Sequence, residues 1–189
     1  MKHTFLSQAN LLTIMANDKS LHKQVSYAIE SLTSALKQNL PVLVFGNGGS
    51  ASDALHISGE LVGKFNFDRR PYNVICLNSN VTVLTAWSND VNYDSVFARQ
   101  VEAHSVSGGI CWGLSTSGNS GSVLLGLKKG QSLGMKTIGL TGASGGKMSE
   151  FCDILIEVPS EITPIIQELH VVIYHYICKE IESKLSQSI

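Results

Sequence analysis

The residues with the clearest chemical capacity are His56 and Glu60, within Ser50-Ala-Ser-Asp53-Ala-Leu-His56-Ile-Ser-Gly-Glu60. On a helix, residues four apart share one face, one turn above the other. That spacing presents an imidazole nitrogen and a carboxylate oxygen together, which can chelate a metal or pair an acid with a base. A second set lies in Thr163-Pro-Ile-Ile-Gln167-Glu-Leu-His170-Val-Val-Ile-Tyr-His175-Tyr-Ile-Cys178. This stretch is apolar on almost every side, so Gln167, His170 and His175 must each find a partner. Helix geometry sets Gln167 and His175 about 80° apart around the axis and ~12 Å apart along it. His170 is turned about 140° from His175 and reads as a structural histidine.

Two loops have the composition of anion grips, Asn47-Gly48-Gly49-Ser50 and Ser115-Thr116-Ser117-Gly118-Asn119-Ser120. Each follows a short apolar run and opens a helical stretch. Backbone N–H groups at a helix start favour an anion such as phosphate. Glycines let the backbone approach it closely, and hydroxyls add donors. Neither loop matches a Walker or dinucleotide-binding pattern, so the expected ligand is a phosphorylated small molecule rather than a nucleotide. The third glycine-rich stretch, Gly142-Ala-Ser-Gly-Gly146-Lys147, is weaker, and Lys147 reads as a solvated loop lysine.

Elements must position these groups. Leu21, Val25, Ile29, Leu32 and Leu36 recur at spacings of three and four, so residues 1 to about 38 read as a helical segment. Short apolar runs at 41–45, 72–77, 109–114, 136–141 and 152–158 alternate with helical stretches, and the last precedes a long final helix. Such runs are strands buried on both faces. Parallel neighbours need helical crossovers, so the pattern specifies a doubly wound parallel α/β sheet in one domain spanning 1–189. Ligands of such sheets sit beyond the carboxyl ends of the strands, where both grips fall.

Composition narrows the class. The chain has 189 residues and a net charge of −1, which argues against nucleic-acid or acidic-membrane binding. Charged residues are 15%, below the roughly 25% of an average soluble chain, so part of the surface is expected to be buried in an oligomer. No apolar run of about 18 residues exists to span a membrane, and the N-terminus is too polar for a secretory leader. Cys76, Cys111, Cys152 and Cys178 are scattered without metal-type spacing, as expected of reduced core thiols in the cytoplasm.

The motifs form a recognisable series: Gly46-Asn-Gly-Gly-Ser50, Asp53, His56, Glu60, Ser88-Asn-Asp90, Ser115-Thr-Ser-Gly-Asn-Ser120, Gly145-Gly-Lys-Met148 and Gln167-Glu-x-His170-x4-His175. From about residue 40 to 182 this series resembles the sugar isomerase (SIS) domain family, and within it the sedoheptulose-7-phosphate (phosphoheptose) isomerases. The resemblance implies a flavodoxin-like five-stranded sheet and a homotetramer with active sites between subunits. It implies conversion of sedoheptulose 7-phosphate to D-glycero-D-manno-heptose 7-phosphate through a cis-enediol, for bacterial heptose synthesis. It also implies zinc at His56, Glu60, Gln167 and His175, with Glu60 and His175 as the acid/base pair. Substrate contacts would fall on Asn47, Gly48, Gly49, Ser50, Glu60, Asn89, Asp90, Ser115, Thr116, Ser117, Ser120 and Gln167. The family's arginine two residues before the glutamine is replaced by Ile165, which bears on the identity of the sugar. Two alternatives stand beside this reading. One is a non-catalytic SIS adaptor of the replication-initiator-binding type, which departs at the positions of Glu60 and His175, both intact here. The other is a SIS isomerase or sensor for a different ketose phosphate. For the metal, either Gln167 and His175 reach it from one helix near full extension, or one ligand comes from a neighbouring subunit, the arrangement expected here.

Overall fold

Each apolar run forms a strand in the computed structural model, which describes residues 1–186. The strands are β1 Val42–Gly46, β2 Val74–Cys76, β3 Ile110–Leu114, β4 Lys136–Thr141 and β5 Ile154–Glu157. All pair in parallel, in the order β2-β1-β3-β4-β5. This is the flavodoxin-like order, in which the sheet is wound outward in both directions from β1 and β3. Period-two alternation gives each face its own core. Val42 and Val44 face one cluster with Trp112 and Ile138. Leu43 and Phe45 face the other with Phe97, Val123 and Leu127.

The helices are α1 Lys2–Asn17, α2 Lys19–Lys37, α3 Gly49–Val62, α4 Val81–Asp90, α5 Val96–His104, α6 Gly121–Ser132 and α7 Thr163–Ser186. Residues of α2, α3 and α7 pack in the first cluster, those of α5 and α6 in the second. The N-terminal helical segment is two helices rather than one. Asp18 breaks it, because its extended backbone and its carboxylate cap α2, accepting from the N–H groups of Ser20 at 2.8 Å and Leu21 at 3.0 Å. The stretch after β2 is likewise divided into α4 and α5. Between them Asn92 Oδ1 accepts from the Ser95 N–H at 2.8 Å, a side-chain turn that competes with helix continuation.

Candidate functional site

At the carboxyl ends of β1 and β3, the two expected grips line one cavity of about 350 Å³. Its walls are Asn47, Gly48, Gly49, Ser50, Ser115, Thr116, Ser117, Ser120 and Gln167, together with Leu114 and Thr163. The helices α3 and α6 begin here, and neither start is capped by the side chain of its N-cap residue, Gly48 or Ser120. Helix-start N–H donors and two macrodipoles therefore face the cavity, a setting for an anion. Instead of capping, Ser120 Oγ accepts from Asn47 Nδ2 at 2.6 Å, and Ser122 Oγ accepts from the same amide at 2.8 Å. Tyr93 donates its hydroxyl to Asn47 Oδ1 at 2.6 Å, so the asparagine that opens the first grip is clamped to the second. Gly118, with φ 64°, lies so close to Gly145 that a Cβ would stand 2.1 Å from the Gly145 carbonyl oxygen. The third glycine-rich stretch therefore braces the serine loop from behind. Lys147 joins it through its backbone, donating its N–H to Asn119 Oδ1 at 3.0 Å.

A second feature lies further along α3. His56 Nε2 stands 3.1 Å from Glu60 Oε1 and 3.3 Å from His175 Nε2. One ligand atom from each of the three groups falls within 4.8 Å of the others. Ligand atoms around a tetrahedral ion with ~2.0–2.1 Å bonds stand ~3.3–3.4 Å apart, so two edges of this triangle already have metal-site length. The donor set, two imidazoles and a carboxylate, suits zinc and other first-row divalent ions. Burial, then the adjacent His56 ring, hold the His175 imidazole below its ordinary pKa, against the pull of Glu60. A lowered value keeps the ring neutral, the form that can ligate or accept a proton. Deeper in, burial pushes the Asp53 carboxyl up to about 6, opposed by a hydrogen bond from Tyr174 and by His56.

These two features are ends of one ladder. The helices α3 and α7 run side by side in the same sense. Gly49 meets Gln167, and a Cβ on Gly49 would stand 2.2 Å from Gln167 Nε2. His56 meets His175 two turns on. Beyond them Arg69 ties the helix ends together. Its guanidinium donates to the carbonyls of Glu60 at 2.9 Å, Leu61 at 3.0 Å and Gly63 at 3.0 Å, and to Glu182 Oε1 at 3.0 Å. Glu182 also accepts from the N–H groups of Phe65 and Asn66, at 3.0 and 2.6 Å. Phe65 packs on the His175 ring with centroids 5.9 Å apart.

Most expected residues thus converge, but not in one cluster. His56, Glu60 and His175 meet within a single chain, so these three can gather without a second subunit. Their meeting is possible because the second ladder rung, not the length of a side chain, spans the separation. Gln167 lies one rung away with its amide on Gly49. Asn89 and Asp90 end α4 outside the cavity lining, with Asn89 Nδ2 donating to Asp90 Oδ1 at 2.8 Å. Ile165 packs against the first core cluster. His170 is fully buried, and neither ring nitrogen makes a well-formed hydrogen bond among the described residues. Burial lowers its pKa to about 4, so it is a neutral core group at neutral pH, although the Thr141 backbone favours its charged form. All four cysteines are free thiols, and burial pushes those of Cys111, Cys152 and Cys178 up to about 12. Tyr93, Thr163, Tyr174, Arg69 and Glu182 escaped the sequence reading. None was set apart by spacing or composition: Arg69 sits in the charged run Asp68-Arg69-Arg70, and Glu182 among Lys179, Glu180 and Lys184.

Comparison with known proteins gives the same picture. The SIS domain family model matches residues 6–142. The phosphoheptose isomerase of Aliarcobacter butzleri is 48% identical over 166 residues, 88% of this chain and 86% of that protein. Among solved structures, a phosphoheptose isomerase from Francisella tularensis superimposes with a TM-score of 0.91 at 33% identity, over 96% of each chain. The phosphoheptose isomerase of Neisseria gonorrhoeae gives 0.89 at 32% identity, also over 96% of each.

Proposed function

The chain belongs to the SIS domain family, and from that premise we propose that it is an aldose–ketose isomerase interconverting sedoheptulose 7-phosphate and D-glycero-D-manno-heptose 7-phosphate. The observation that carries this reading is the α3–α7 ladder, which leads from an anion cavity to a cluster of proton-transfer groups. From Gly49 to His56 the rise is about 10 Å, a distance that suits a long, extended sugar chain held by its phosphate at one end. Ser115, Thr116, Ser117 and Ser120 grip the phosphate, and Asn47, Gly48, Gly49, Ser50 and Gln167 line the path of the sugar. Asn89 and Asp90, at the end of α4 outside this cavity in their own chain, are assigned to the sugar of a neighbouring subunit.

Isomerisation moves a proton between adjacent carbons through a cis-enediol. Glu60 carries the carbon-bound proton from C1 to C2, and His175, kept neutral, exchanges the oxygen-bound proton. Binding energy from the remote phosphate holds C1 and C2 against these groups. His56, Glu60 and His175 would hold a divalent ion, for which we assign zinc. When bound, such an ion supplies Lewis-acid polarisation of the carbonyl oxygen. Gln167 joins that set only by turning its amide off Gly49, and otherwise serves the sugar.

The chain also has the surface of an assembling subunit. Phe5, Leu6, Leu12 and Ile14 are exposed on α1, and Val172 and Tyr176 on α7. An apolar groove of about 550 Å³ between α1, α2 and α7 is lined by Leu12, Met15, Leu21, Val25, Ile173 and Tyr176. Within the chain α1 is tied to α7 by Gln8, which donates to Glu168. These helices are the faces of a homotetramer in this reading. Among the described residues no helix is long and apolar enough to cross a membrane. We place the protein in the cytoplasm, where its thiols stay reduced. A coupled turnover assay on a panel of ketose phosphates tests the proposal. Turnover of sedoheptulose 7-phosphate above the others supports it, and preference for another ketose phosphate, or none turned over, replaces it.

A further inference from the structure

The two ring nitrogens of His56 face different partners. Nε2 faces Glu60 and His175, at 3.1 and 3.3 Å. Nδ1 lies 2.9 Å from the Tyr174 hydroxyl, which makes a longer contact of 3.5 Å to Asp53 Oδ1. Asp53 is 8% exposed and its Oδ2 has no hydrogen-bond partner among the described residues. The Tyr174 ring, 1% exposed, meets the His56 ring edge-on with centroids 5.4 Å apart. Asp53 and His56 lie one turn apart on α3, and Tyr174 immediately precedes His175 on α7. The chain of groups therefore crosses the same helix pair as the reactive cluster, on its buried side.

A neutral imidazole has one N–H and one lone pair, and its neighbours decide which nitrogen carries which. A carboxylate only accepts, so Tyr174 must direct its hydrogen to Asp53 and keep its oxygen lone pairs for His56. Tyr174 thus draws the His56 proton to Nδ1, while Glu60, an acceptor 3.1 Å from Nε2, competes for it until a cation takes the Nε2 lone pair. We propose that Tyr174, backed by Asp53, is a positioning residue that fixes the Nδ1–H tautomer of His56 and so aims the Nε2 lone pair at Glu60 and His175. A ligating histidine whose second nitrogen is held in this way is both oriented and more basic. The hydroxyl is the operative atom, because phenylalanine would fill the same space. The proposal rests on the isomerase reading only for which reaction the site serves. Its chemistry concerns this chain's affinity for a divalent cation.

The test uses purified full-length protein with histidine labelled with ¹⁵N, stripped of metal, at neutral pH. The nitrogen shifts of His56 should show a measurable Nδ1–H population in the wild type, and Tyr174→Phe should shift the ring toward Nε2–H. Zinc affinity, read by competition with a chromophoric chelator, should fall about 10–100-fold in Tyr174→Phe. The lost kcat should return with excess zinc while KM stays near the wild-type value. Asp53→Asn should weaken zinc binding less, and the double variant no more than Tyr174→Phe alone, because Asp53 acts through the tyrosine. If Tyr174→Phe does not fold, the His56 tautomer balance and the zinc affinity of Asp53→Asn decide. A His56 tautomer balance unmoved by the soluble variants, or unchanged zinc affinity in them, overturns the assignment. A protein with the expected tautomer and affinities but no turnover of any ketose phosphate defeats the isomerase reading and leaves this one standing.

Discussion

Glu60→Gln keeps the size of the side chain and removes its proton acceptor, so it separates binding from chemistry. Turnover should fall by about 10²–10⁴ while substrate still binds, as read by a coupled assay beside calorimetric titration. Near-wild-type turnover would take Glu60 out of the mechanism. At the other end of the cavity, Thr116→Val deletes one donor with little change in shape. A hydrogen bond to a charged group contributes about 1.5–3 kcal/mol, so KM should rise about tenfold or more with kcat little changed. An unaltered KM would put the phosphate elsewhere. The reactive residues were legible because their chemistry is local: His56 and Glu60 announce themselves by helical spacing, and the serine loop by composition. Tyr174 was not legible. On the sequence it is one more aromatic in an apolar helix, and its hydroxyl acquires a purpose only when α3 is laid beside α7. Gln167 shows the same limit, since axial arithmetic on one helix could not say which neighbouring helix faces each turn.

At the scale of elements, the ladder depends on the tie at its far end. Arg69 and Glu182 side chains are 2% and 0% exposed. Burial alone would push the Glu182 carboxyl up, but the amides of Asn66 and Phe65 and then the Arg69 guanidinium outweigh it and hold the carboxyl below its ordinary value of 4.5. Glu182→Gln strands a buried guanidinium, at a cost of about 3–5 kcal/mol, measurable as a lower midpoint in denaturant. A group with a depressed folded pKa contributes stability above its unfolded pKa and loses it as pH falls through the folded one. The stability gap between wild type and Glu182→Gln should therefore be full at neutral pH and shrink only below pH 4.5. A gap independent of pH down to strong acid would mean that the carboxylate charge is not what holds the tie. The strands were readable because apolar runs bounded by glycines leave few alternatives. The breaks at Asp18 and at Asn92–Ser95 were not, because a short side chain that caps a helix looks like any polar residue inside one until its backbone partners are seen.

For the whole molecule, the low charge fraction raises the expectation of an assembly, and large apolar side chains are exposed on α1 and the outer side of α7, among other places. Light scattering should report a tetramer, and Leu12→Glu, which buries a charge in the α1–α2–α7 groove of the assembly, should shift it toward smaller species. A wild-type monomer at micromolar concentration would contradict the assembly. Whether chemistry crosses subunits is a separate matter, and the geometry divides the site in two. His56, Glu60 and His175 gather within 4.8 Å in one chain, so the proposed proton-transfer pair can be completed by a single subunit. Glu60→Gln and His175→Ala subunits, mixed under conditions of verified exchange, should then stay inactive, because every site in a hybrid tetramer lacks one member of the pair. Recovered activity would mean that the two residues act across an interface and that the one-chain trio is not the working arrangement. Pairing Glu60→Gln with a variant of Asp90 is the informative contrast. Asp90 ends α4 outside the cavity lining of its own chain, so if it serves a neighbour's sugar, that mixture alone should regain activity. One intact site per complementary contact sets the ceiling, and a return to zero in both mixtures would confine every reacting group to a single subunit.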